Sequence, residues 1–228
     1  MSFFENVFNI FFPKVCLSCN DTLSPNEQVI CVTCRHDLPL TNFSIEPNNL
    51  VEKSFYGRYP IINGTALFYF YKQGTIQKII HNLKYKNQQQ VGTFIGNWLG
   101  EEILESNRFQ NIDYIIPVPL HKNKLIKRGY NQVTTFGKSL SEKLNIPFKE
   151  NILIRVSYTK TQTKKIRLDR WKNVQELFYV PDPSKTKNKH ILLIDDVITT
   201  GATLEACCNA FKKSTGIKIS IACMAYTK

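Results

Sequence analysis

The 228-residue sequence predicts an α/β fold: a parallel sheet flanked by helices, with a small four-cysteine module at its N-terminal end. Three observations predict it. Short apolar runs alternate with stretches of helical period from Ala66 onward, the pattern of a sheet with helices on both faces. The run from Ile191 to Ile194 is apolar at every position rather than at alternate ones, as in a central strand buried on both sides. Cys16, Cys19, Cys31 and Cys34 form two C-x2-C pairs with eleven residues between them, ahead of all these elements.

The elements follow in order. Phe3, Phe4, Val7, Phe8 and Phe11 share one helical face, and Pro13 stops that pattern. Packing on the main core is the expected role of this face, with a membrane-surface anchor as the alternative. The stretch has no basic leader and no small-residue cleavage site, and no run in the chain is long enough to span a bilayer, so a cytoplasmic protein is expected. Pro39 to Pro47 is polar and irregular and reads as a linker, dividing a module over 1–47 from a domain over 48–228. Ala66 to Tyr71 is aromatic and strand-like. Ile76, Ile79, Ile80 and Leu83 give a helix from Thr75 to about Tyr85, and a second runs from about Val91 to Leu104. Asp113 to Leu120 is a short buried strand ending in a proline-punctuated loop. A helix over Asn131 to Leu144 precedes a long polar stretch, Val156 to Gln175. His190 to Asp195 is a strand, Thr203 to about Lys213 a helix and Ile217 to Met224 a last strand.

An apolar fraction of 43% and a charged fraction of 21% are those of an ordinary globular protein. The net charge of +12 is unevenly placed. Between His121 and Asn173, 14 Lys and Arg face three acids, a local excess of +11. Such a concentration suits a polyanion, either a phosphorylated small molecule or nucleic acid, although a solvated basic surface would look the same. Tyr130 and Trp171 are the aromatic residues of this stretch that could stack on bases, with ordinary packing as the alternative.

The paired cysteines suit one tetrahedral ion. Each short turn lets two thiolates converge, and together the pairs close the coordination sphere, so the ion would be structural zinc. Two disulfides or an iron–sulfur cluster are the alternatives. Zinc would supply folding energy that some thirty residues cannot draw from their own core. Asn20 follows the first pair where a left-handed residue is needed, a conformation asparagine tolerates. His36 reads as a bystander, and Cys207, Cys208 and Cys223 as small buried hydrophobes.

At the end of the buried strand stand Asp195 and Asp196, then Thr199-Thr200-Gly201-Ala202-Thr203 opening onto a helix. Ligands of open parallel sheets collect at the carboxyl ends of strands. Free amides at the helix start, its dipole and the threonine hydroxyls can face one phosphate, and Gly201 lets the backbone approach closely. The aspartates would repel that anion; sugar hydroxyls or a divalent cation are their natural partners. Carboxylates for a ribose beside a phosphate cradle describe a sugar phosphate ligand.

The thirteen residues ILLIDDVITTGAT (Ile191 to Thr203) resemble the signature of type I phosphoribosyltransferases. The resemblance implies that Asp195 and Asp196 bind the ribose hydroxyls of 5-phosphoribosyl-1-pyrophosphate (PRPP) and that Thr199, Thr200, Gly201, Ala202 and Thr203 hold its 5-phosphate. It also implies magnesium with PRPP and a type I phosphoribosyltransferase-like sheet. Ile115 to Leu120 resembles the pyrophosphate-loop strand, with Leu120 and His121 at its turn, and Arg155 to Asn173 resembles the mobile lid. With the four-cysteine module, HNLKY (His81 to Tyr85), PVPLHKNKLIKRGYNQ (Pro117 to Gln132) and the spaced Thr159 and Gln162, the chain resembles the ComF family of competence-associated proteins. That resemblance implies handling of single-stranded DNA during natural transformation, with a competence helicase or other DNA-uptake protein as partner. Lys84, Arg128 and Asn131 lie in family-like stretches and are candidates to line the site; Gln162 and Lys165 are lid candidates. The alternative is an active transferase acting on an unidentified acceptor. In the purine-salvage branch an aspartate matches Thr199, so the threonine argues against that substrate class.

Overall fold

The computed structural model describes residues 13–155 and 177–228. The expected N-terminal apolar helix and lid, with Thr159, Gln162, Lys165 and Trp171, lie outside them.

Four strands, β1 (Gly64–Phe70), β2 (Tyr114–Pro117), β5 (His190–Ile198) and β6 (Lys218–Thr227), form a parallel sheet in the order β1-β6-β5-β2. Two further strands, β3 (Ile154–Arg155) and β4 (Phe178–Tyr179), pair antiparallel and bring together the two ends of the stretch between them. β5 sits between β6 and β2, which explains its uninterrupted apolar run: Ile191 to Ile194 are wholly buried. On one face lie α3 (Thr75–Tyr85), α4 (Gln90–Ser106) and α6 (Val133–Leu144), whose Ile79, Leu83, Ile95, Phe136 and Leu140 pack on Leu192 and Ile194. On the other, α7 (Ala202–Ala210) and Val51 of α2 (Leu50–Lys53) pack with Phe55 on Ile191 and Leu193.

The α4–α6 contact depends on small residues. A Cβ at Gly96 would lie 2.7 Å from both the Phe136 carbonyl oxygen and Ser139 Cβ, so the helices approach too closely for any side chain. Asn107 and Asn145, at φ 54°, end α4 and α6 in the left-handed turn usually given to glycine.

The stretch Pro39 to Pro47, expected as a linker, is laid along β1 instead. Tyr69 N–H donates to the Pro39 carbonyl (2.8 Å) and Thr41 N–H to that of Leu67 (3.0 Å). Phe43 is buried edge-on against Tyr69 and Tyr226, 5.6 and 6.0 Å between centroids. Its polar residues bond to a strand edge that would otherwise face water, which composition alone does not reveal. The cysteine module, with α1 (Val32–His36), packs through Cys16, Val29, Ile30 and Leu38 on the core of α3 and α4, and the Arg35 guanidinium lies 4.8 Å above the Trp98 ring.

Among the described residues most predicted elements recur with ends moved by a few residues. Two differences bear on the site. β5 continues past both aspartates to Ile198, and a short helix, α5 (Lys122–Arg128), follows the proline loop where a loop was expected.

Candidate functional site

Because side chains alternate along a strand, running β5 on to Ile198 sends the two aspartates to opposite faces. Asp196 follows Leu192 and Ile194 to the face of α3 and α6. There Lys84 Nζ lies 2.9 Å from its Oδ2, and Gln132 Nε2 donates to the same oxygen at 2.7 Å. Gln132 is itself held, its Oε1 accepting from Arg128 at 2.6 Å, while the Arg128 guanidinium lies 5.1 Å over the Tyr85 ring. Asp196 is 7% exposed, and both contacts use Oδ2. Asp195 turns to the α7 face and accepts the Asp196 amide on Oδ1 at 2.8 Å. Burial first, and then the adjacent Asp196 charge, push the Asp195 carboxyl up to about 8, against the pull of Lys84 and Arg155. At neutral pH the pair therefore carries less than two full charges.

The loop after β2 closes the site on the α3 side. Val118 N–H donates to the Ile194 carbonyl (2.9 Å), and Asn131 Nδ2 donates to that of Val118 (3.2 Å), so the turn through Leu120 runs beside Asp196. His121 caps α5, its Nδ1 accepting the Asn123 amide at 3.1 Å. Lys84, Arg128 and Asn131 thus converge on one wall of the site.

Beyond β5, Thr199 and Thr200 are exposed and Gly201 adopts φ +74°, a left-handed conformation that favours glycine, to start α7. Thr203 and Ala202 face solvent at that start, where first-turn amides have no helical acceptor. One residue here carried no sequence signal. Arg58, far away in the chain, donates to the Thr200 carbonyl at 2.7 Å and the Ser54 carbonyl at 3.1 Å, and pairs with Glu205 in the first turn of α7. It fastens the loop and neutralises the acid in the first turn of α7, which would repel a phosphate there. Only a contact across 142 residues exposes it.

At the module, the Cys16, Cys19, Cys31 and Cys34 sulfurs lie within 4.8 Å of one another. Cys19 and Cys31 are 3.8 Å apart, close to the ~3.8 Å edge that Zn–S bonds of ~2.3 Å impose on a tetrahedron. Burial raises the Cys16 thiol, but amide donors from Cys19, Cys31 and Ser18 outweigh it and bring it down to about 6. Asn20 takes φ 69°. His36 faces solvent beside Asp37, outside the cluster. The cluster is compatible with zinc. Tyr130 donates its hydroxyl to the Leu83 carbonyl and is a packing residue. Cys207, Cys208 and Cys223 are fully buried, and that burial pushes their thiols up.

Comparison with known proteins bears on the same elements. A family model described as phosphoribosyl transferase domain matches residues 134–228. Competence protein F of Haemophilus influenzae is 32% identical over 139 residues, covering 59% of this chain and 61% of the relative. DNA utilization protein YhgH of Escherichia coli strain K12 is 24% identical over 155 residues, 67% of either chain, and competence protein ComFC of Bacillus subtilis is 33% identical over 90 residues, 40% of this chain and 34% of the relative. These relatives, together with the phosphoribosyl transferase match, support a ComF-family protein with a phosphoribosyltransferase domain. The chain spans about three fifths of the length of competence protein F. Among solved structures, glutamine PRPP amidotransferase of B. subtilis matches at TM-score 0.42 and 16% identity, covering 62% of this chain and 30% of that one. Among the described residues, no helix is long and apolar enough to cross a membrane.

Proposed function

We propose that the chain binds PRPP at the carboxyl end of β5, holds structural zinc on Cys16, Cys19, Cys31 and Cys34, and handles single-stranded DNA. The observation that carries the ligand reading is the Gly201 turn, with Thr199, Thr200 and Thr203 open to solvent one strand-end away from Asp195 and Asp196. The 5-phosphate would lie on the α7 amides and threonine hydroxyls, with Glu205 silenced by Arg58. The ribose diol would donate to Asp196 and Asp195, and the turn through Leu120 and His121 would carry the pyrophosphate. Magnesium bound with PRPP would neutralise part of the pyrophosphate charge.

Support for DNA handling comes from the relatives, one named for competence and one for DNA utilization, and from the basic excess between His121 and Asn173, part of which is the exposed Lys122, Lys124 and Lys127 of α5. The match over residues 134–228 favours a second reading, phosphoribosyl transfer to an acceptor. Titration of a labelled single strand against salt, with and without PRPP, tests the first. The logarithm of affinity should fall with that of salt by ~0.7 per neutralised phosphate, and the slope should change with ligand. A salt-independent or ligand-blind titration contradicts it. Rapid pyrophosphate release that depends on an added acceptor would favour transfer instead.

A further inference from the structure

We infer that Lys84 is a latch that exchanges Asp196 for the ligand's pyrophosphate, so that the site admits a pyrophosphorylated sugar and resists the same sugar phosphate without it. The inference rests on the PRPP reading and adds a discriminating residue to it.

Asp196 Oδ2 is already taken by Lys84 and Gln132. A ribose hydroxyl that donates to this oxygen displaces one of them. Gln132 is the fixed partner, since Arg128 holds its amide from the other side and Arg128 lies against Tyr85. Lys84 is the movable one: it sits in the last turn of α3, on a four-carbon stem with freely rotating donors. Its side chain is only 22% exposed, and drawing its ammonium from a nearly buried carboxylate without another anion is unfavourable. The turn after β2 supplies the place for that anion. Val118 is bonded to Ile194 and Asn131 to Val118, which sets the turn immediately beside Asp196 and within the neighbourhood of Lys84.

A ligand with both a diol and a pyrophosphate satisfies each half of the broken pair: hydroxyls donate to Asp196, and phosphate oxygens accept from Lys84. A ligand with the diol alone satisfies Asp196 and strands Lys84. The contact therefore opposes ribose 5-phosphate and product-like sugar phosphates without penalising PRPP.

The test uses the full zinc-loaded chain and Lys84→Met, with PRPP plus magnesium followed by calorimetry and ribose 5-phosphate by ligand-observed NMR. The two affinities should move in opposite directions: PRPP at least 10-fold weaker (~1.4 kcal/mol or more), ribose 5-phosphate 3- to 10-fold tighter (~0.7–1.4 kcal/mol). A merely structural lysine would weaken both together, and that result, or no change in either, overturns the latch. Gln132→Ala should weaken both. Should Lys84→Met not fold, a crystal structure of the unaltered chain with PRPP decides. Lys84 Nζ on a pyrophosphate oxygen supports the exchange; Nζ still within ~3.2 Å of Asp196 Oδ2 overturns it. Absence of PRPP binding by the unaltered chain would sink the underlying reading, whereas intact binding with parallel shifts would sink the latch alone.

Discussion

Replacing Arg58 with alanine should loosen the phosphate loop and leave Glu205 uncompensated at the start of α7. The guanidinium donates Nε to Glu205 at 2.8 Å and NH1 to the Thr200 and Ser54 carbonyls at 2.7 and 3.1 Å. The ion pair is about a third exposed and screened accordingly, so it contributes only ~0.5–1 kcal/mol. Each charge-assisted bond to a carbonyl adds ~1 kcal/mol after exchange with water. The pieces share one side chain and do not add fully, leaving ~2 kcal/mol, or about 30-fold in an equilibrium constant. Part of that falls on global stability and part on the affinity for a 5-phosphate. Denaturant unfolding reads the first and calorimetry with PRPP and magnesium the second, on Arg58→Ala, Glu205→Gln and the double variant. Arg58→Ala should bind ~3- to 10-fold more weakly. The double variant should regain several-fold, because removing the stranded carboxylate relieves repulsion without restoring the loop anchor. Unchanged affinity in Arg58→Ala, or a double variant no better than the single one, refutes the reasoning.

Three further outcomes are expected. Gly96→Ala should destabilise the fold by ~1–3 kcal/mol in urea, since overpacking against the Phe136 carbonyl exceeds the ~1 kcal/mol that alanine gains in helix propensity. Chelation at pH 7, or Cys31→Ser, should release one zinc per chain by atomic absorption and unfold the module; acidification should release it as well, because protons compete with the metal for the thiolates. Asp195 has a folded-state value raised from 3.8 to about 8, so its contribution to stability is complete below about pH 4 and is lost as pH rises through 8. The melting temperature of Asp195→Asn should accordingly decline less between pH 6 and about 9 than that of the unaltered chain, as read by differential scanning calorimetry.

Local chemistry made much of the molecule legible in advance. Ile191 to Ile194 announced a central strand because every position is apolar, and Cys16, Cys19, Cys31 and Cys34 announced a cluster because their spacing is set by short turns. Ile76, Ile79, Ile80 and Leu83 placed α3 to the residue. What escaped was decided by contacts distant in the chain. Asp195 and Asp196 look like a matched pair in sequence, yet β6, paired with β5 as far as Ile198, keeps the strand extended and turns the two carboxylates apart. Lys84 and Gln132 meet Asp196 only because α3 and α6 share one face of the sheet, and Arg58 reaches Thr200 only because the segment after α2 folds under the loop. Pro39 to Pro47 has a linker's composition but lies on the edge of β1, because that edge has unmet hydrogen bonds. The short helix α5 escaped as well, lying in a lysine-rich stretch with Leu125 and Ile126 exposed, where no apolar face announces it.

The most direct measurement is calorimetric titration of the zinc-loaded chain with PRPP and magnesium, repeated on the Asp195→Asn, Asp196→Asn double variant. Saturable one-to-one binding that disappears in the double variant, while its melting profile remains cooperative, is the predicted result. Equal binding by both proteins would contradict the placement of the ribose at the end of β5.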